Sequence, residues 1–150
     1  MLGRVQAGAS LREVRFAQPG HDLRATAGRG ERARIQRAGR ERALSLQVAS
    51  FSIELIALLR PLVLRIRRYD RSLADQLVRA ASSVALNIAE AECSDPGNKR
   101  ARFFTAAGSA NETLAALRVA VAWGYFPAAD ADAARALTGR VVAMLHGLTR

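Results

Sequence analysis

Lysine is nearly absent from this 150-residue chain: 22 of its 23 cations are arginine, and Lys99 is the exception. Cysteine is limited to Cys93, so no intrachain disulfide can close. With no CxxC and no Cys/His cluster, a structural zinc site is excluded as well. A single thiol suits a reducing compartment, and the expected location is cytoplasmic. Prolines number four (Pro19, Pro61, Pro96 and Pro127) and aromatics make up 5% of the chain. A β-sandwich or barrel needs more β-branched and aromatic residues and more frequent turns, so the composition points to helices. Histidine occurs only as His21 and His146. A di-iron carboxylate bundle requires Glu-x-x-His on two helices, but Glu90 is followed three residues on by Cys93 and Glu112 by Ala115. The phosphate loops GxxxxGK[ST] and GxGxxG are both missing, and Cys93 has no histidine partner in any readable arrangement. His146 reads as a helix-end residue and Met144 as core filler. The expectation is a protein without catalytic residues, metal or cofactor.

What the chain does have is apolar surface and positive charge. Half of its residues are apolar, a quarter are charged and the formal net charge is +10. Such a composition supports a folded core rather than wholesale disorder. The charge is uneven. Residues 1–43 carry ten arginines against Glu13, Asp22, Glu31 and Glu41, a balance of +6, which leaves +4 for residues 44–150. Excess cations raise affinity for polyanions through counterion release, and arginine adds bidentate phosphate contacts. The first 43 residues are rich in Gly, Ala and Arg, without apolar periodicity, and Gly28 and Gly30 interrupt them. They read as a disordered basic tail. A phosphate-binding arm, a transit peptide and a stretch upstream of the true start are the alternatives. A local helix over 31–48 is compatible with its Ala, Arg, Glu and Gln content. No apolar core of a secretory signal is present.

From residue 44 the periodicity is helical. Leu55, Leu58, Leu59, Leu62 and Ile66 recur at helical spacing, with Pro61 inside the run. A kink rather than a break is expected there. Residues 46–66 are apolar enough to raise the question of a membrane span. Glu54, Arg60 and Pro61 interrupt them, and each central charge costs about 2.5–3.5 kcal/mol on insertion. They read as a buried helix, and no membrane partner is expected. A second helix starts near Ser72, its expected cap, and turns Leu73, Leu77, Ala81, Val84 and Ile88 inward. After a turn over 93–98, a third runs from about Lys99 to Trp123, with Gly124 as its stop. A fourth, capped by Asp130 or Asp132, carries Leu137, Val141, Met144, Leu145 and Leu148. Matched lengths and short links define an all-α, antiparallel, up-down-up-down four-helix bundle over 44–150.

Two further features bear on function. The first bundle helix carries Ile53, Leu55, Ile56, Leu58, Leu59, Leu62, Val63, Leu64 and Ile66, more apolar surface than one bundle face needs. Self-association is the expected consequence. Trp123, Tyr125 and Phe126 either extend that contact or plug the bundle end. Along the second helix Arg79, Ser83, Asn87 and Glu90 share a face, and the third offers Ser109 and Glu112. These six are either a solvated face holding an Arg/Glu pair or a buried polar network that fixes register and subunit pairing. Arg65, Arg67, Arg68 and Arg71 cluster at the first junction, and Lys99, Arg100 and Arg102 follow the second. Both clusters are candidate contacts for nucleic acid, at opposite ends of an antiparallel bundle.

The string from Asp75 to Glu90, DQLVRAASSVALNIAE, resembles the QLxRAxxSxxxNIAEG signature of the proteins encoded by intervening sequences in bacterial 23S ribosomal RNA genes. Phe103-Phe104, Ala107-Gly108-Ser109, Glu112, Leu117 and Trp123-Gly124-Tyr125 continue the likeness, which spans about residues 46–148. The resemblance implies a four-helix bundle that assembles into rings, typically pentamers, and has no assigned enzymatic activity. It extends to the accessory proteins of diversity-generating retroelements. Through them it implies a basic surface that engages RNA and a reverse transcriptase complex. Arg79, Ser83, Asn87, Glu90, Ser109 and Glu112 fall on the family's polar positions, where their role is structural. Ala91 replaces the family's usual glycine, Pro61 is an addition, and residues 1–43 have no counterpart.

Overall fold

The computed structural model describes the main chain from residue 23 and the side chains from residue 30, in each case through residue 150. Among the described residues there are four helices and no strand: α1 (Leu23–Ile66), α2 (Arg71–Glu92), α3 (Pro96–Ala122) and α4 (Ala128–Leu148). The expected all-α four-helix architecture is present. Helix α1 begins upstream of the expected domain start, so the second half of the segment read as a disordered tail is helical. Its Ala, Arg, Glu and Gln outweigh its glycines in helix propensity. Residues 30–43 are exposed throughout, and the first buried residue is Ser45. Residues 1–22, with the remainder of the tail expectation and His21, lie outside the described residues. Residues 37–150 form one compact unit, which holds the bundle.

Helix α1 continues unbroken through Pro61. Pro61 cannot donate to the carbonyl of Ala57, but both residues are on the exposed side, where water can take the free acceptor. The starts of the other helices differ from expectation in instructive ways. Asp70, not Ser72, caps α2: its backbone is extended and its carboxylate accepts from Leu73 N at 2.9 Å. The turn over 67–70 is closed by hydrogen bonds onto Val63, Arg65 and Ile66, so the new helix opens at once. Helix α3 starts at Pro96 rather than Lys99. Asp95 accepts from the N–H groups of Gly97 and Asn98 at 3.1 and 3.3 Å, and proline occupies the first turn where no donor is needed. Helix α4 follows Pro127 with no side-chain cap, so neither Asp130 nor Asp132 serves as one. Asp130 sits in the first turn, where a carboxylate meets the positive end of the helix dipole. Gly124 takes the left-handed conformation (φ 72°) just beyond α3, as its position suggested.

The core divides along the bundle axis. One cluster joins Leu55, Leu59, Leu62 and Ile66 of α1 to Leu77 of α2, Leu117 of α3, Phe126 of the following loop and Leu137 of α4. The other joins Val48, Val84, Ile88, Phe103, Val141, Leu145 and Leu148. Between them in every helix falls a small hydroxyl residue: Ser52, Ser83, Thr113 and Thr138. Ser52 donates to Ala49 O at 2.7 Å, Thr113 to Ser109 O at 3.0 Å and Thr138 to Ala134 O at 2.6 Å. These three hydroxyls are satisfied within their own helices and Ser83 pairs with Ser109 of α3, so the layer costs no unpaired polar group. Phe51 touches both clusters and bridges the layer.

Candidate functional site

The six polar residues singled out on α2 and α3 meet along the seam between these helices. Both helices bury alanines, Ala80, Ala81 and Ala91 on α2 and Ala106, Ala107 and Ala110 on α3. Small side chains let the helices approach closely enough for short polar groups to reach across. The Ser83 and Ser109 hydroxyls lie 2.8 Å apart. Asn87 donates to the main-chain oxygen of Ser83 at 2.9 Å and to its hydroxyl at 3.1 Å. Arg102 donates to Glu90 at 2.8 Å and to the side-chain Oδ1 of Asn87 at 3.4 Å.

One turn further along, Gln76 donates to the Glu112 carboxylate and accepts from Arg79 at 2.6 Å. The seam is half-buried rather than sealed. Asn87 and Ser109 are buried, Ser83 is partly so, and Arg79, Glu90 and Glu112 remain exposed. The Arg/Glu pair of the solvated-face alternative does not form within α2: Glu90 pairs with Arg102 of α3, and Arg79 donates to Gln76. Sequence reasoning missed Gln76, which joins Arg79 to Glu112. Its place one helical turn before Arg79 was the available signal.

The two basic clusters differ in what surrounds them. At the α2–α3 end, Lys99 pairs with Glu92 at 3.5 Å and lies over the Phe103 ring at 5.8 Å, and Arg102 pairs with Glu90. Arg100 covers the ring of Phe104 at 5.7 Å. Ser45, buried in α1, donates to the same Glu92 carboxylate. At the α1–α2 end, Arg65 pairs with Asp130 and lies 5.6 Å from the centre of the Phe126 ring. Arg67 pairs with Asp75 at 2.6 Å. Arg68 and Arg71 have no ion-pair partner among the described residues. Together with Leu64, Arg67 and Asp75 they line an open cleft of about 730 Å³.

The surplus apolar face of α1 is exposed in the protomer. Ile53 (62% exposed), Ile56 and Leu64 (58%) share a groove with Val78 of α2, and Leu86 of α2 is exposed as well. A groove of about 420 Å³ between the two helices is lined by Ile53, Ile56, Val63, Leu64, Leu77 and Val78. By length and composition α1 could also cross a membrane. In the bundle, however, Leu55, Leu59, Leu62 and Ile66 are fully or almost fully buried against the other helices. Of the three aromatics after α3, Phe126 is the plug, Tyr125 is half-buried and Trp123 is exposed. Cys93 is exposed at the end of α2 and His146 is exposed in the last turn of α4. No group of three or more His, Cys, Asp or Glu side chains that could hold a metal occurs among the described residues.

An antiparallel bundle with an alanine-lined α2–α3 seam, bridged by serine, asparagine and carboxylate groups, defines the class of this protein. The chain belongs to the 23S rRNA-intervening sequence protein family, whose model matches residues 46–147. The fold is similar to the crystal structure of a protein of unknown function from the S23 ribosomal protein family of Bacteroides thetaiotaomicron. The TM-score is 0.67 at 19% identity, over 73% of this chain and 97% of that one. No curated protein matches the sequence.

Proposed function

We propose that this protein is a non-catalytic, homo-oligomeric bundle that associates with RNA or a nucleoprotein complex through its α1–α2 end. The observation that carries the reading is the pair Arg68 and Arg71, left without carboxylate partners beside an open cleft. A cation already neutralised by a neighbour gains little from a phosphate, whereas an unpaired, solvated guanidinium can accept one bidentately. The family's description, which refers to 23S ribosomal RNA, agrees with a nucleic-acid setting. A reverse transcriptase complex is the nucleoprotein partner suggested by the retroelement resemblance. The lone Cys93 fits a cytoplasmic location.

The test is retention of RNA in a filter-binding assay between about 50 and 500 mM salt. Wild-type affinity should fall steeply with salt. The double variant Arg68→Ala/Arg71→Ala should bind more weakly, with a log–log slope reduced by about two. Lys99→Ala/Arg102→Ala should change the slope less, because both cations are already paired. Salt-independent retention, or none at low salt, overturns the reading and leaves a scaffold that binds only protein.

Self-association is supported by the exposed Ile53, Ile56, Leu64 and Val78 around one groove. Burying such a face in a second copy removes apolar area from water at about 25 cal/mol per Å². Light scattering should give a multiple of the protomer mass, a pentamer by the family resemblance. Ile53→Glu, placed on an exposed position, should return a folded protomer. A wild-type chain that stays single at micromolar concentration contradicts it.

A further inference from the structure

The link between α1 and α2 presents an aromatic ring on a main chain held on both sides. Tyr69 N donates to Ile66 O at 2.9 Å and Asp70 N to the same carbonyl at 2.8 Å. On the other side Asp70 caps α2 through Leu73 N. The Tyr69 ring lies parallel to that of Tyr125, 3° apart in plane with centroids 5.1 Å apart. Tyr125 is itself held by its N–H bond to Ala120 O at 3.0 Å. Tyr125 covers one face of the Tyr69 ring, yet Tyr69 remains 68% exposed, so its other face is open to water. In the chain Arg68 precedes this ring and Arg71 follows it two residues on, and both line the open cleft at this end, whose other walls are Leu64, Arg67 and Asp75.

An open aromatic face beside unpaired cations is the arrangement that receives an unpaired nucleobase: the ring takes the base and the guanidinium groups take the flanking phosphates. Because the main chain is already held and the ring already rests on Tyr125, binding requires little further ordering of the link. At the opposite end the rings are arranged differently. Its exposed ring, Phe104, already carries the Arg100 guanidinium over one face, and Phe103 is buried. Base-paired RNA keeps its bases stacked on one another and presents mostly phosphate and sugar.

Resting on the RNA reading above, we propose that the α1–α2 end binds single-stranded RNA by stacking an unpaired base on the open face of Tyr69, with Arg68 and Arg71 holding the adjacent phosphates. The preference for single strands over duplex is thus set by one tyrosine, while the salt dependence is set by the arginines.

The experiment compares a single-stranded RNA of about 12 nucleotides with its duplex, by fluorescence anisotropy on the full-length protein. Wild type should bind the single strand more tightly. Tyr69→Ala should weaken single-strand binding by about 5- to 100-fold with the duplex affinity and the salt slope unchanged, since no phosphate contact is lost. Tyr69→Phe should bind as wild type. As a direct probe, Tyr69→Trp in a Trp123→Phe background should lose indole emission on adding the single strand but not the duplex. Stacking is overturned if that indole is not quenched, or if Tyr69→Ala binds both RNAs as wild type. If Arg68→Ala/Arg71→Ala still weakens binding in that case, the phosphate reading stands. If wild type binds neither RNA at low salt, the RNA reading falls and the stacking proposal with it.

Discussion

Both ends of the bundle carry cations, and those nearest the two helix junctions are used differently. At the α2–α3 end Lys99 and Arg102 are neutralised by Glu92 and Glu90, and the acids and bases stitch neighbouring turns together. At the α1–α2 end Arg65 and Arg67 are paired in the same way, but Arg68 and Arg71 are not. The aromatic groups follow the same division. Phe103 is sealed in the core at one end, whereas at the other the exposed Tyr69 stacks on Tyr125, which packs against the core cluster holding Phe126. Positive charge therefore locates a binding surface only after the carboxylates opposite it are known. The chain-wide excess of cations says little about where a polyanion would sit.

The sharpest way to break this contrast is to remove the buried phenylalanine beneath each end. Phe103 and Phe126 each anchor one of the two core clusters, and truncating either to alanine should cost about 3–5 kcal/mol of stability. Urea unfolding measures that cost, and the two variants should be alike in it. They should differ in RNA binding measured well below the unfolding transition. Phe126→Ala removes the residue that supports the Tyr125 loop and lies beneath the Arg65 guanidinium, so binding should weaken. Phe103→Ala leaves the Tyr69 platform intact, so binding should persist. Equal RNA affinities for the two variants would mean that the ends are not functionally distinct.

Much of this was legible in the sequence, for identifiable reasons. Helical spacing placed Leu77, Val84, Ile88, Leu117, Val141 and Leu145 in the core, where they are. Long amphipathic segments leave no second way to bury such a stripe. The apolar excess of α1 was visible too, because Ile53 and Leu64 fall outside any single stripe. Helix starts were harder to read. Ser72 and Asp70 are both good caps, and the choice between them depended on how tightly the preceding turn closed onto Ile66. The hydroxyl layer of Ser52, Thr113 and Thr138 escaped notice because its level is defined across helices, which periodicity within one helix does not reveal. Tyr69 carries no signal of its own in the sequence. Its significance depends on Tyr125, 56 positions away in the chain, lying parallel to it.

The caps offer a smaller test of how the two ends are built. Asp70 accepts one main-chain N–H, from Leu73. Asp95 accepts from Gly97 N, Asn98 N and the Asn98 side-chain amide. The Asn98 side chain foremost, then the main-chain N–H groups, hold the Asp95 carboxyl below its ordinary value of 3.8. All of these donors favour the charged form. A carboxyl whose folded pKa lies below its unfolded one stabilises the fold above the unfolded value, and that contribution is lost as pH falls through the folded value. Asp95→Asn keeps a competent cap but has no proton to take up over this range. Wild type should therefore be more stable than Asp95→Asn near neutral pH, and the difference should shrink as the solution is acidified through the carboxylate range. Thermal unfolding of both proteins from about pH 6 down to about pH 2.5 measures it. A gap that does not change with pH would show that the α2–α3 end is capped by hydrogen-bond geometry alone, with no contribution from the charge.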